Sequence, residues 1–323
     1  MGKETNRHIR AVVIGGAGFI GSHLCEALTE SGASVTCVDN FETGRLTNLR
    51  ALVERPGFRL LRQDMLDGIE IAGPVDVVYH LTAPATPSDY LLDPVRATRA
   101  ASVGTLNALE LAHHHHARFV LLSTSETYGP PTPEPLDEAH PGAIDPVAAY
   151  GAYYEARRFA EAATSTYRAA YSLSTAIARI FNTYGPRMRL DDGRVLARLI
   201  RQVLTDGAVT IPGSGAQRRS LCYVDDTVAG VLALANSAHP GPMNVGNPDD
   251  VSIFSLAQQL IDLTDGHSPA AFVEAPPNLG HSRRPDITLA GEVLGWRPRV
   301  PVKEGLATTI AWFRENGSAH GWR

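Results

Sequence analysis

The chain has 323 residues, with 29 Lys+Arg against 34 Asp+Glu and a formal net charge of −5 at pH 7. That balance excludes a basic nucleic-acid binder and an acidic tail protein, and 44% hydrophobic with 20% charged residues excludes a disordered chain. The first apolar run, 11–14, is too short for a leader or a membrane span, and the widely spaced Cys25, Cys37 and Cys222 suit a reducing cytoplasm better than a disulfide framework.

Apolar, β-rich runs at 11–14, 34–38, 59–61, 75–81, 119–123 and 174–180 alternate with stretches at helical spacing over 19–30, 94–114 and 148–170. This alternation predicts βαβ units around a parallel sheet. The strand runs are continuously apolar, as expected where helices cover both faces. Beyond residue 181 the order loosens: helices are predicted over 195–204, 227–236, 254–262 and 302–316, short strands at 209–211 and 243–245, and loops at 212–215 and 276–285. The four histidines at 113–116 close the long second helix. Consecutive helical positions point in different directions and cannot converge on one ion, so no metal is expected.

Three stretches carry chemistry. Between the first strand and first helix, Gly15, Gly18 and Gly21 recur as G-x-x-G-x-x-G. A backbone without Cβ lets a pyrophosphate approach, and the helix N-terminus then receives it. Asp39 ends the second strand 18 residues beyond Gly21, where a carboxylate accepts ribose hydroxyls and repels a 2′-phosphate. NAD is therefore expected, bound in a doubly wound Rossmann-type sheet. Next, Ser123-Thr124-Ser125-Glu126-Thr127-Tyr128-Gly129 ends an apolar strand, on the side where open α/β sheets bind ligands. Finally, Tyr150 and Tyr153 lie in a helical stretch, with Tyr153 four residues before Arg157 on the same face. A cation beside a tyrosine stabilises its phenolate and fits it to act as a base toward a sugar hydroxyl. Alone, such a pair reads first as a surface helix pair.

Together these stretches resemble the extended short-chain dehydrogenase/reductase family, and within it most the UDP-glucuronate decarboxylases. The similarity is carried by 15–24 (GGAGFIGSHL), 38–45 (VDNFETGR), 79–87 (YHLTAPATP), 123–129 (STSETYG), 178–188 (ARIFNTYGPRM), 192–195 (DGRV) and 284–287 (RPDI). The resemblance implies an NAD-binding domain over 1–180, a smaller α/β lobe mainly for the nucleotide sugar over 181–323, and a homodimer built on a four-helix interface from 94–114 and 148–170. It implies that Tyr153 deprotonates a C4 hydroxyl, that Thr124, Ser125 and Glu126 handle the sugar and its protonation, and that Arg283 stands near the carboxylate. Loss of CO2 beside a C4 ketone would give UDP-xylose, a UDP-4-keto-pentose, or both. It further implies that Gly15, Gly18, Phe19, Ile20, Asp39, Asn40, Thr43, Gly44, Asp64, Met65 and Leu81 line the cofactor with Tyr153 and Arg157. Tyr90, Asn182, Arg194, Arg219 and Tyr223 would hold the substrate. A 4-epimerase, a 4,6-dehydratase and a catalytically silent nucleotide-sugar-binding regulator are the alternatives.

The chain departs from the family at three positions: Thr82 replaces an alanine, Ala101 an asparagine, and Arg157 the lysine of Tyr-x-x-x-Lys. Arginine keeps the charge, but with a pKa above about 12 it cannot pass a proton along a relay. The expectation is a weakened return of hydride, with some keto-pentose escaping before reduction. The alternative is that Arg157 follows a chain-wide preference, since all basic residues but Lys3 and Lys303 are arginines.

Overall fold

The structure is a computed structural model that describes residues 8–81, 86–129, 134–148, 151–264, 268–275 and 283–317. Thr82, Tyr150 and most of the loop expected at 276–285 lie outside the described residues.

The first half runs β1 (Arg10–Ile14), α1 (Phe19–Glu30), β2 (Ser34–Asp39), β3 (Phe58–Arg62), β4 (Val77–His80), α2 (Pro87–Leu92), α3 (Pro94–His114), β5 (Arg118–Thr124), α4 (Gly151–Tyr171) and β6 (Thr175–Ile180). Strand residues alternate between two cores. Ala11 and Val13 enter one hydrophobic cluster, while Val12 and Ile14 enter the cluster on the opposite face. That two-sided burial is why the strands read as unbroken apolar runs. The long helix α3 starts on Pro94 with Asp93 accepting from the Arg96 N–H, a Pro-initiated and capped first turn.

The second half contributes β7 (Thr183–Tyr184), α5 (Val195–Leu204), β8 (Val209–Pro212), β9 (Arg218–Ser220), β10 (Cys222–Tyr223), α6 (Val224–Ala235), β11 (Met243–Val245), β12 (Asp250–Ser252), α7 (Ile253–Asp262), β13 (Ala270–Val273), α8 (Thr288–Leu294) and α9 (Val302–Asn316). One seven-stranded parallel sheet has the order β3-β2-β1-β4-β5-β6-β11. The strand order reverses between β1 and β4, so a crevice opens outside the carboxyl ends of those strands. β11, from the second half, extends the sheet beside β6 with Met243 opposite Ala178. The small pairs β7–β10, β9–β12 and β8–β13 lie outside the main sheet.

Several features depart from the sequence expectation, among them the unpredicted β7, β9, β10, β12, β13 and α8. The strand expected over 75–81 shortens to Val77–His80, α6 begins at Val224 rather than 227, and α2 was not anticipated. Asp225 and Asp226 in the first turn of α6 favour its positive end and account for the earlier start. Among the described residues, no helix is long and apolar enough to cross a membrane.

Candidate active site

A cleft of about 500 Å³ runs along the carboxyl ends of the parallel strands, from the β1–α1 turn to β9. At its floor Gly15 adopts φ +83, and its carbonyl oxygen would lie 2.2 Å from a Cβ on Gly21. Only glycine lets α1 start that close to the turn. Gly18 is the N-cap and offers no side-chain cap, which leaves the helix N-terminus to an anion. Asp39 receives the Ala17 N–H at 2.9 Å and the Phe41 N–H at 2.8 Å, one on each carboxylate oxygen. Burial pushes this carboxyl upward while the two N–H groups hold it down. A Cβ on Gly44 would come within 2.7 Å of Asp39, so the loop closes over the carboxylate only because residue 44 lacks one.

The adenine side is a polar chain backed by apolar walls. Asp64 caps a single turn over Met65–Asp67 through the Leu66 N–H, and accepts from Asn40 and Arg96. Burial opposes its charge, but these donors hold the Asp64 carboxyl below the usual range. Arg96 also donates to Glu42 at 2.6 Å. Phe19, Ile20, Thr43, Met65 and Leu81 line the cleft here. Gly44 lines an adjoining recess rather than the cleft itself.

The reactive end is built from three separate elements. β5 delivers Thr124, which accepts the Glu126 N–H and caps a single turn over Ser125–Tyr128. α4 delivers Tyr153 and, one turn on, Arg157, which is 4% exposed and donates to the Leu122 carbonyl. Burial pushes the Tyr153 phenol up, the Arg157 charge pulls it back, and Glu126 adds a smaller upward push. From the far end of the chain, Arg283 meets Glu126 in a forked ion pair, with contacts of 3.0 and 2.8 Å, and also donates to the Gly129 carbonyl at 3.0 Å. Arg219 lines the same cleft, and its guanidinium is held below its usual range by burial and by the Arg283 charge. Two cations facing one space create a demand for an anion between them. Asn182 lines this region too, and Arg194 is tied to the fully buried Asp192 through Nε at 2.6 Å.

Two expected substrate residues are placed differently. Tyr90 is 4% exposed and does not line the cleft; its ring stacks on Tyr153 at 4.4 Å between centroids. Tyr223 is turned away altogether. It packs edge-on against Tyr184 beneath Gly305 of α9, at the end of the short buried strand β10 that leads into α6.

The sequence reading missed several cleft residues, Arg96 and Arg189 among them, and two more residues bear on the chemistry. Arg187 lines the cleft in a left-handed conformation, φ +66, paired to Glu26 at 2.6 Å, and its buried Nη1 has no hydrogen-bond partner among the described residues. Its place inside 178–188 was the available signal; its backbone conformation was not. Tyr154 reaches hydrogen-bonding contact with both Glu126 and Arg283. The orphaned Arg187 donor, the glycine cradle and the carboxylate at Asp39 are what a dinucleotide requires, so the residues fit NAD.

The NAD dependent epimerase/dehydratase family matches residues 11–246. UDP-glucuronic acid decarboxylase 1 of Arabidopsis thaliana is 42% identical over 311 residues, covering 95% of this chain and 70% of the relative. UDP-glucuronic acid decarboxylase 5 of the same plant is 41% identical over 319 residues, covering 98% and 93%. In three dimensions, UDP-glucuronic acid 4-epimerase from Bacillus cereus, solved with UDP-glucuronic acid and NAD, superimposes with a TM-score of 0.82 at 27% identity over 95% of this chain and 99% of that one.

Proposed function

Since the chain belongs to the NAD dependent epimerase/dehydratase family, we propose that it decarboxylates a nucleotide-activated glucuronic acid, UDP-glucuronate, through a 4-keto intermediate. The observation that carries this reading is the Glu126–Arg283 pair, set beside Tyr153 and facing Arg219, in a chain 42% identical to a UDP-glucuronic acid decarboxylase.

NAD would lie along Gly15, Gly18, Asp39, Asp64 and Arg187, and the chemistry it supplies when bound is reversible hydride acceptance at the sugar's C4. Tyr153 Oη takes the C4 hydroxyl proton, helped by the fixed charge of Arg157. Arg219, Arg194 and Asn182 hold the diphosphate through charge-assisted and amide hydrogen bonds. Arg283 orients the carboxylate, whose departure as CO2 leaves an electron pair that the C4 ketone delocalises. Thr124 and Ser125 steady the ring, and Glu126 holds the solvent water whose proton C5 takes as the enolate returns to the C4 ketone. Tyr153 then returns its proton to O4 as the ketone is reduced.

The protein would work in the cytoplasm, where Cys25, Cys37 and Cys222 stay as the free thiols they are here. It would pair as a homodimer through α3 and α4, which expose Val95, Val103 and Phe159. The competing reading is a uronate 4-epimerase, favoured by the similarity to the Bacillus cereus enzyme. Incubation with UDP-glucuronate separates the two. Trapped CO2 and a pentose in the product NMR support decarboxylation, whereas an epimerised uronate with no CO2 overturns it.

A further inference from the structure

Glu126 and Arg283 are 157 residues apart in sequence, and the ion pair needs their two loops in register. We infer that Asn244 is a positioning residue that clamps these loops together for the carboxylate-handling half of the reaction; the inference rests on the decarboxylase reading above.

Asn244 sits mid-β11, fully buried, and does not line the cleft. Its Oδ1 accepts the Tyr128 hydroxyl at 2.7 Å, and Tyr128 ends the same short turn that carries Glu126. Its Nδ2 donates to the Leu136 carbonyl at 2.9 Å and to the Asp286 carbonyl at 3.0 Å. Its backbone N–H donates to Glu138 at 2.7 Å. Leu136 in turn bridges Pro285, with the Leu136 N–H on the Arg284 carbonyl and the Asp286 N–H on the Leu136 carbonyl, both at 2.8 Å. One side chain therefore joins the turn of Glu126 to the strand-like segment that begins at Arg283.

The other end of the network reaches the cleft floor. Arg179, opposite Asn244 in the sheet, lies 4.7 Å over the Tyr128 ring and forks onto Glu161, which accepts the Ser123 hydroxyl at 2.6 Å. A buried amide is costly unless every group is bonded, and here each is. An apolar residue would fill the same space and align nothing. The Arg179–Glu161–Ser123 links onto α4 and β5 do not involve the Tyr128 hydroxyl, so loosening the bond from that hydroxyl to Asn244 acts on the turn of Glu126 and on the decarboxylation step, and leaves Tyr153 and Arg157 in place for C4 oxidation.

The test compares wild type with Tyr128→Phe, which removes one hydroxyl and keeps the ring on Arg179, and with Asn244→Ala. Substrate is UDP-glucuronate labelled with deuterium at C4 or with carbon-13 in the carboxylate. For Tyr128→Phe we expect kcat to fall between about tenfold and about a hundredfold, with KM and NAD affinity nearly unchanged. The carbon-13 effect should grow while the deuterium effect shrinks. Unchanged kcat, or a loss with both isotope effects in the wild-type proportion, overturns the inference even if Asn244→Ala fails to fold. If wild type itself releases no CO2, the decarboxylase reading and the inference fall together. If wild type is active and Tyr128→Phe matches it, only the inference falls.

Discussion

At the scale of single residues, the Glu126–Arg283 pair and Arg157 make separable predictions. The pair's side chains are 29% and 14% exposed, so its worth lies between that of a surface pair and that of a fully buried one. Replacing Arg283 by Leu leaves a partly buried carboxylate without its cation, and should cost about 1–3 kcal/mol in urea unfolding. Combining it with Glu126→Gln should recover most of that loss, since the double variant buries no lone charge; simple addition of the two single effects contradicts a coupled pair. Arg157 is held by the Leu122 carbonyl under Tyr153, so its charge is kept in place whatever its proton-relay ability. Substituting Lys should leave the first oxidation intact and lower the keto-pentose share in the product; an unchanged ratio by mass spectrometry shows that arginine serves as well as lysine. Most of the cleft was legible from sequence because glycines, Asp39 and the strand-end turn have fixed places in a β-α-β unit. Arg187 and Tyr223 were not, because which way each side chain turns depends on a left-handed backbone and on burial beneath α9, and neither leaves a mark in local spacing.

At the scale of elements, two glycines on helices contrast a rigid contact with a yielding one. A Cβ on Gly21 would meet the Gly15 carbonyl at 2.2 Å and the Gly16 Cα at 2.9 Å, all backbone. Gly21→Ala must therefore lift α1 off the turn, at about 1–3 kcal/mol of overpacking strain, and NAD binding should vanish with it. The three atoms nearest a Cβ on Gly104 of α3 all belong to the Met65 side chain, with Cε the nearest. Met65 can swing aside, so Gly104→Ala should fold with a nearly unchanged melting temperature. The displaced thioether enters the cleft Met65 lines, so NAD affinity measured by calorimetry should drop; equal affinity would show that Met65 does not wall the adenine side. α1 and α3 were legible to the residue because the glycine turn before Phe19 marks the start of one and the capped Asp93-Pro94 step the start of the other. The six-residue helix α2 and the short pairs β7–β10 and β9–β12, of two or three residues a strand, were not, since such short runs carry no clear period and form only where tertiary contacts place them.

For the molecule as a whole, two buried histidines tie stability to pH. His23 on α1 faces Glu26, Arg187 and Asp225 and lies 3.0 Å from the Pro186 carbonyl, where it links the cofactor side to the second half of the chain. Burial, reinforced by the Arg187 charge, lowers it to about 4. His80, fully buried at the end of β4 against Thr105, is lowered to about 3 by burial and by Arg157. Both have folded values below the unfolded 6.5, so the unfolded chain binds more protons between these limits and stability rises with pH there. The contribution is complete above about pH 6.5 and fades as pH falls toward 4. Between pH 7 and pH 5 each histidine should remove about 2 kcal/mol from the unfolding free energy. His23→Gln keeps a hydrogen-bonding amide but cannot titrate, so its urea-melt stability should fall less steeply over that range, by about His23's own share. A slope identical to wild type would mean that His23 is already neutral in the unfolded chain or solvated in the folded one. The first is excluded by the ordinary titration of an imidazole in water. The test therefore bears directly on whether α1 and the 186–187 corner stay packed together, and with them the Arg187 donor that reaches into the cofactor cleft.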